Sequence, residues 1–167
     1  MLAFFNGLSI VNANRKARTM GCDIHSLAER KREGKYEAIP GLEPFDWRAY
    51  FMYGFLAGVR NYSDVPPLAE PRGFPDDASD YARDLSGRWG MDGHSHSWLS
   101  VKELTEFNYD ALVEDRRVMI DNDGGRTSSP GGGEMVVWRD RLGGQFFADL
   151  QQLQDEGAER VLFLFDN

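Results

Sequence analysis

Two of the chain's three histidines stand one residue apart, in Asp92-Gly93-His94-Ser95-His96-Ser97-Trp98-Leu99. On an extended strand alternate side chains share a face. The spacing therefore predicts His94 and His96 side by side, with Asp92 preceding them on the same face. Two imidazoles and a carboxylate are a common ligand set for zinc, manganese or iron. The third histidine lies in Gly21-Cys22-Asp23-Ile24-His25, where Asp23 and His25 also alternate. Two such strands lying side by side would join Asp23, His25, Asp92, His94 and His96 into one site. It would hold one or two divalent ions, zinc or manganese by preference, and activate water for hydrolysis. Without a metal the same histidines and Asp23 would serve acid–base catalysis, because imidazole titrates near neutrality. The plain alternative is that histidines near a tight turn cap backbone groups.

Further side chains fit such a site by type. Arg60, Arg72 and Arg88 each stand beside a loop or a glycine. Arg60 and Arg72 are the candidates to grip phosphate oxygens through paired hydrogen bonds, against a reading as surface arginines. Trp98 would stack on a ring such as a base, or pack in the core. Cys22 points away from Asp23 and His25 on an alternating strand and reads as a small buried residue. Asp121-Asn122-Asp123-Gly124-Gly125 lacks the terminal bidentate glutamate of a calcium loop and reads as a turn. Asp166 and Asn167 read as a solvated chain end, or as groups projecting into a site at the sheet edge.

The elements that must position these residues follow from periodicity and punctuation. Residues 22–30 and 35–39 alternate around the turn signal Lys31-Arg32-Glu33-Gly34, predicting an early β-hairpin. Asp46 can cap a helix from Trp47 to Val59, with apolar residues at helical spacing. Tyr62 to Pro75 is a proline-rich loop, and loops of that length carry function or move. A polar helix follows from Asp76 or Asp77 to Leu85. Ser100 with Glu103 forms a capping box, predicting a short helix from Val101 to Phe107. Arg117 to Ile120 suggests a short strand, and Thr127 to Gly133 a flexible loop. The longest helix is expected from Val137 to Glu156, its paired glycines Gly143 and Gly144 explained by close backbone packing. Val161 to Phe165, continuously apolar, predicts a central buried strand. The whole reads as an α+β domain: a small, mostly antiparallel or mixed sheet packed by about four helices.

The chain has 167 residues, 41% of them hydrophobic and 13% aromatic, enough for one domain with a core. A formal net charge of −8 argues against duplex nucleic acid as a partner. A small phosphorylated molecule or nucleotide held by a few arginines stays open. No stretch has the roughly 20 apolar residues of a membrane span. One cysteine excludes an internal disulfide and points to a reducing, cytoplasmic setting. Residues 1–19 read as an extension, loose or supplied by an upstream start, because their positive charges follow the apolar run instead of preceding it. Residues 20–167 then form the single domain, with Met20 as the natural start. The sequence leaves the oligomeric state open.

Asp23-Ile24-His25 and Gly93-His94-Ser95-His96 resemble, in order, the first and last motifs of calcineurin-like metallophosphoesterases. That likeness is partial. The family's Gly-Asp-x-x-Asp and Asn-His motifs have no counterpart, and no histidine lies between His25 and His94. A broader resemblance runs through Met20-Gly21-Cys22-Asp23-Ile24-His25, Leu56-Ala57-Gly58-Val59-Arg60-Asn61, Pro71-Arg72-Gly73, Asp92 to Leu99 and Phe165-Asp166-Asn167. These look like a family of small proteins encoded by phages and prophages. The resemblance implies a phage setting, hence the cytoplasm of a host cell, and assigns no chemistry. The functional expectation is a phage-encoded, metal-assisted hydrolase of a phosphoester or nucleotide, such as a host nucleotide signal. The alternatives are a non-catalytic nucleotide-binding or host-defence-inhibiting protein, and a small structural accessory.

Overall fold

The computed structural model describes residues 21–122 and 125–167. The extension at residues 1–19 and the start at Met20 lie outside them, as do Asp123 and Gly124 of the acidic turn. Strands β1 (Asp23–Arg32) and β2 (Lys35–Ala38) form the expected hairpin. Its two-residue turn puts Glu33 and Gly34 both at positive φ, 50° and 79°. That matches the right-handed twist of the flanking strands. Helices α1 (Tyr50–Ala57) and α2 (Asp80–Trp89) follow, then β3 (His94–Ser100) running straight into α3 (Val101–Glu106). Strands β4 (Leu112–Asn122) and β5 (Gly125–Val137) form a two-stranded ribbon. Helix α4 (Trp138–Asp155) and strand β6 (Arg160–Asp166) complete the chain. This is an α+β fold.

The main sheet is antiparallel at every pairing, in the order β2-β1-β6-β3. The last strand inserts between the first and the third, and all its residues but Asp166 are buried. The continuous apolar run at its centre has that cause: both faces are covered. On one face Phe163 and Phe165 pack with Phe51 and Phe55 of α1 and Phe146 of α4. On the other, Leu27 and Leu162 pack against Ala82 and Leu85 of α2. No helix among the described residues is long and apolar enough to cross a membrane.

Several boundaries differ from the expected ones, each for a local reason. Helix α1 begins three residues late, at an N-cap, Ala49, that makes no side-chain bond, and ends where Gly58 turns left-handed. Helix α2 is capped by Ser79, whose hydroxyl accepts the Ala82 N–H, and runs on to Trp89. The Ser100–Glu103 capping box is present as expected. Residues 127–133, read as a flexible loop, belong to β5; Thr127 to Pro130 pair along β4, and Gly131 to Gly133 fall at a register shift before pairing resumes at Glu134. The close packing expected at Gly143 and Gly144 is absent. Gly143 has φ 81° and ψ 168° inside α4, and nothing lies within 4 Å of where a Cβ would stand at either glycine. Gly143 is there for its backbone conformation, which kinks the helix.

Candidate functional site

At one end of the main sheet β1 starts, β3 starts and β6 stops. The register sets Asp23 opposite Asp166, His25 opposite Leu164 and His94 opposite Phe165. Directly opposed residues share a face. Asp23, His25, Leu164 and Asp166 therefore face α2, while His94 and Phe165 face α1 and α4.

The two histidine strands are not neighbours. β6 lies between them, which sets their backbones roughly 10 Å apart. The pairing of His94 and His96 is also undone locally. Ser95 has φ 53°, and the register with β6 slips between His94 and Ser97. This bulge inserts a residue and breaks the alternation on which the same-face expectation rested. His94 stays on the Phe165 face, with ring centroids 6.3 Å apart. His96 lines the α2 face, where Ser86 Oγ lies 3.0 Å from its Nε2. Burial, reinforced by the nearby His94, pushes the His96 imidazole toward its neutral form.

The five expected metal ligands thus do not converge. Asp23 is gripped by Arg48, with Nε and Nη2 donating to its two oxygens at 2.9 and 2.8 Å. Asp92 sits in the turn after α2, where its backbone N–H bonds Trp89. Among the described residues no three His, Cys, Asp or Glu side chains are grouped as a metal site. Among the described residues these five side chains thus offer no common site for zinc or manganese.

The sheet end does assemble a different group. The His25 ring stacks on Trp89 of α2 with centroids 3.9 Å apart. Its Nε2 lies 3.4 Å from Asp166 Oδ2, near enough for charge contact but not aligned as a hydrogen bond. Asp166 Oδ1 accepts the Asp23 N–H at 3.2 Å. Between His25 and His96 lies a void of about 10 Å³, bordered by Phe74, Leu85 and Leu164. That is room for no more than one water.

On the opposite face of β6, Arg60 Nη2 donates to Asn167 Oδ1 at 2.7 Å, and Asn167 Nδ2 lies 2.9 Å from His94 Nε2. Arg60 also bonds the Cys22 thiol, whose pKa burial nonetheless raises. Tyr53, wholly buried, is kept as the neutral phenol by burial and by the charge of Asp23. Among the described residues two buried side-chain atoms lack a hydrogen-bond partner, His25 Nε2 and Tyr53 OH. Both belong to this end of the sheet. Unpaired buried polar atoms are rare in folded proteins and call for a specific explanation.

Arg60 is therefore brought to the site, and Arg72 and Trp98 are not. Arg72 donates to Trp98 O at 3.3 Å and to both carboxylate oxygens of Glu103, and its backbone N–H bonds Ser97 Oγ. Its guanidinium lies over the Trp98 ring, 4.6 Å from the centroid. These two residues fasten the proline-rich loop to β3 and α3. Arg48, Tyr53 and Trp89 escaped the sequence reading, because nothing in their local patterns marks a site. Asp166 and Asn167 were legible as the polar end of a buried strand. Comparison with protein-family models, with curated proteins and with solved structures finds no match for this chain.

Proposed function

We propose that the chain binds a small phosphorylated molecule or nucleotide at this end of the sheet and hydrolyses its phosphoester without a metal. The supporting observation is the His25–Asp166 pair with its unsatisfied Nε2, with Arg48 beside it on Asp23 and Arg60 at the same sheet end on the other face of β6. His25 takes a proton from the attacking water as its oxygen bonds to phosphorus, Asp166 stabilises the imidazolium that results, and the imidazolium returns that proton to the departing oxygen as its bond to phosphorus breaks. Such hydrogen bonds are often long before ligand arrives and tighten in the complex. Arg48 and Arg60 turn toward the phosphate oxygens, where planar guanidinium groups give paired hydrogen bonds. The phage setting implied by the motif resemblance makes a host nucleotide a natural ligand.

A second reading, a nucleotide-binding protein without turnover, is favoured by one feature. Arg48 already holds Asp23 and Arg60 already holds Asn167, so both cations have partners before any ligand arrives. Calorimetric titration with nucleoside mono-, di- and triphosphates and cyclic mononucleotides, run beside phosphate-release assays, separates the two. Turnover lost in His25→Gln and Asp166→Asn, with binding retained, supports the hydrolase. Binding without turnover selects the second reading. Neither binding nor turnover across the panel rejects both. Stoichiometric transition metal in untagged protein, lost in the His94→Ala/His96→Ala double variant, would overturn the metal-free mechanism.

A further inference from the structure

Most of the large apolar side chains left exposed sit on one element. Among the described residues there are seven, and five of them, Leu112, Val118, Met119, Ile120 and Met135, belong to the ribbon of β4 and β5. Val113 and Asp115 are buried, and the Arg117 guanidinium lies 5.6 Å from the Tyr50 ring centroid. Odd-numbered residues of β4 therefore face the body of the molecule; Met119 shares that face yet stands exposed. By alternation Leu112, Val118 and Ile120 face away, with Met135 on their side opposite Glu114. Apolar surface gathered in this way marks an interface, and a two-stranded ribbon is marginally stable alone.

The main chain of the ribbon has one open edge. Pro130 has no N–H, and the N–H of Arg117 across from it bonds Asp115 Oδ1 at 3.0 Å instead of β5. Arg117 and Pro130 are thus a pair without ladder bonds, and bonding alternates from there. Val118 and Ile120 bond β5, while the N–H and C=O of Met119 and Asp121 point outward. Among the described residues no strand pairs with this edge. Ser63 O accepts the Arg116 N–H at 3.0 Å, which closes the edge before Arg117. The open stretch therefore runs from Arg117 to Asp121. The other edge of the ribbon, on β5, carries Pro130 and is blunted.

We propose that this edge pairs with the same edge of a second copy of the chain, the two β4 strands running antiparallel about a two-fold axis at Met119. The register is self-complementary. Met119 bonds its own counterpart, Val118 meets the partner's Ile120, and Ile120 meets the partner's Val118. Arg117 falls opposite the partner's Asp121, so no like charges meet. The Arg117 side chain already bonds Ser128 and lies over Tyr50, so the main chain and the two apolar pairs carry the affinity. Sliding by two residues either way leaves one apolar pair instead of two and sets Met119 against Arg117 or Asp121. In the proposed register both outer faces lie on the same side of a four-stranded sheet, gathering two valines and two isoleucines into one cluster. Pro130 blunts both ends of that sheet, so the assembly closes as a dimer.

Sedimentation equilibrium of the full chain, from low micromolar to near-millimolar concentration, tests this. The expected result is a reversible monomer–dimer equilibrium. Met119→Pro should abolish the dimer, because proline removes an outward N–H while leaving the β4–β5 ladder intact, and a thermal melt verifies the fold. Val118→Glu and Ile120→Lys, which leave the backbone untouched, should each weaken the homodimer about two- to thirtyfold, the range of two cross-strand pairs. Mixing those two variants should restore the dimer, because the new acid of one copy then meets the new base of the other while one valine–isoleucine pair survives. Monomer at every concentration overturns the proposal, and so does a dimer that survives Met119→Pro. An open-ended oligomer overturns the closed two-fold pairing, and a mixture that associates no more tightly than its parts overturns the register.

Discussion

Replacing Glu103 by glutamine removes the charge that Arg72 was made to meet. Glu103 accepts bonds from Arg72, from the Ser100 N–H at 2.9 Å and from the Ser100 hydroxyl at 2.7 Å. Arg72 above all, then Ser100, hold its carboxyl down at about 2 against an ordinary 4.5. At ~1.4 kcal/mol per tenfold change in proton affinity, that displacement corresponds to ~3 kcal/mol of folding free energy. The Glu103 side chain is 37% exposed, however, and solvent screens the pair. A realistic cost for Glu103→Gln at pH 7 is therefore ~1–2 kcal/mol. The sign follows from the lowered folded-state value. The stabilisation is fully present above pH 4.5 and disappears as pH falls through about 2. Urea unfolding of the parent and the variant, at pH 7 and at two acidic values, reads the difference directly with m unchanged. The gap between the two proteins should be widest at pH 7 and narrow steadily below pH 4.5. A gap that stays constant down to the lowest pH would mean lost packing instead of lost charge, and would refute the assignment of Arg72 and Glu103 as an electrostatic clip. No gap at pH 7 would refute it equally.

Three further outcomes are expected. Glu29→Gln should destabilise the fold by ~1–3 kcal/mol in denaturant titration, because Arg160, itself only 3% exposed, loses its buried counter-charge and keeps only the exposed carboxylate of Asp77. Ser95→Val should cost ~1–3 kcal/mol by thermal unfolding and Ser95→Gly should cost nothing, since a β-branched residue resists the φ of 53° that forms the bulge. His96 is held neutral by burial, so its contribution to stability is present above the unfolded imidazole value and is lost as pH falls below it. His96→Gln should therefore flatten part of the stability loss between pH 7 and the acid side of 6.5, measured by chemical denaturation at each pH.

What the sequence disclosed depends on whether a residue's role is local. The turn at Glu33-Gly34, the capping box at Ser100 and Glu103, and the buried run of β6 are each governed by neighbours within a few positions, and each was legible. Glycine at the turn, a hydroxyl three residues before a glutamate, and unbroken apolarity carry their own physical reason. The ribbon of β4 and β5 was half seen, because the serines of its second strand pair only by virtue of the partner strand and its glycine run falls at a register shift. The expected convergence of the histidines is absent for two reasons that no spacing rule contains. One serine in a left-handed conformation reverses the face of His94 relative to His96. The C-terminal strand then inserts between the two histidine strands, a topological fact set by which pairing best buries Phe163 and Phe165. The same insertion that separates the histidines delivers Asp166 to His25 and Asn167 to His94. The chemistry of the sheet end is thus a consequence of β6 occupying the centre: the strand that removes the expected metal ligands from one another provides each histidine with a polar partner from its own last two residues.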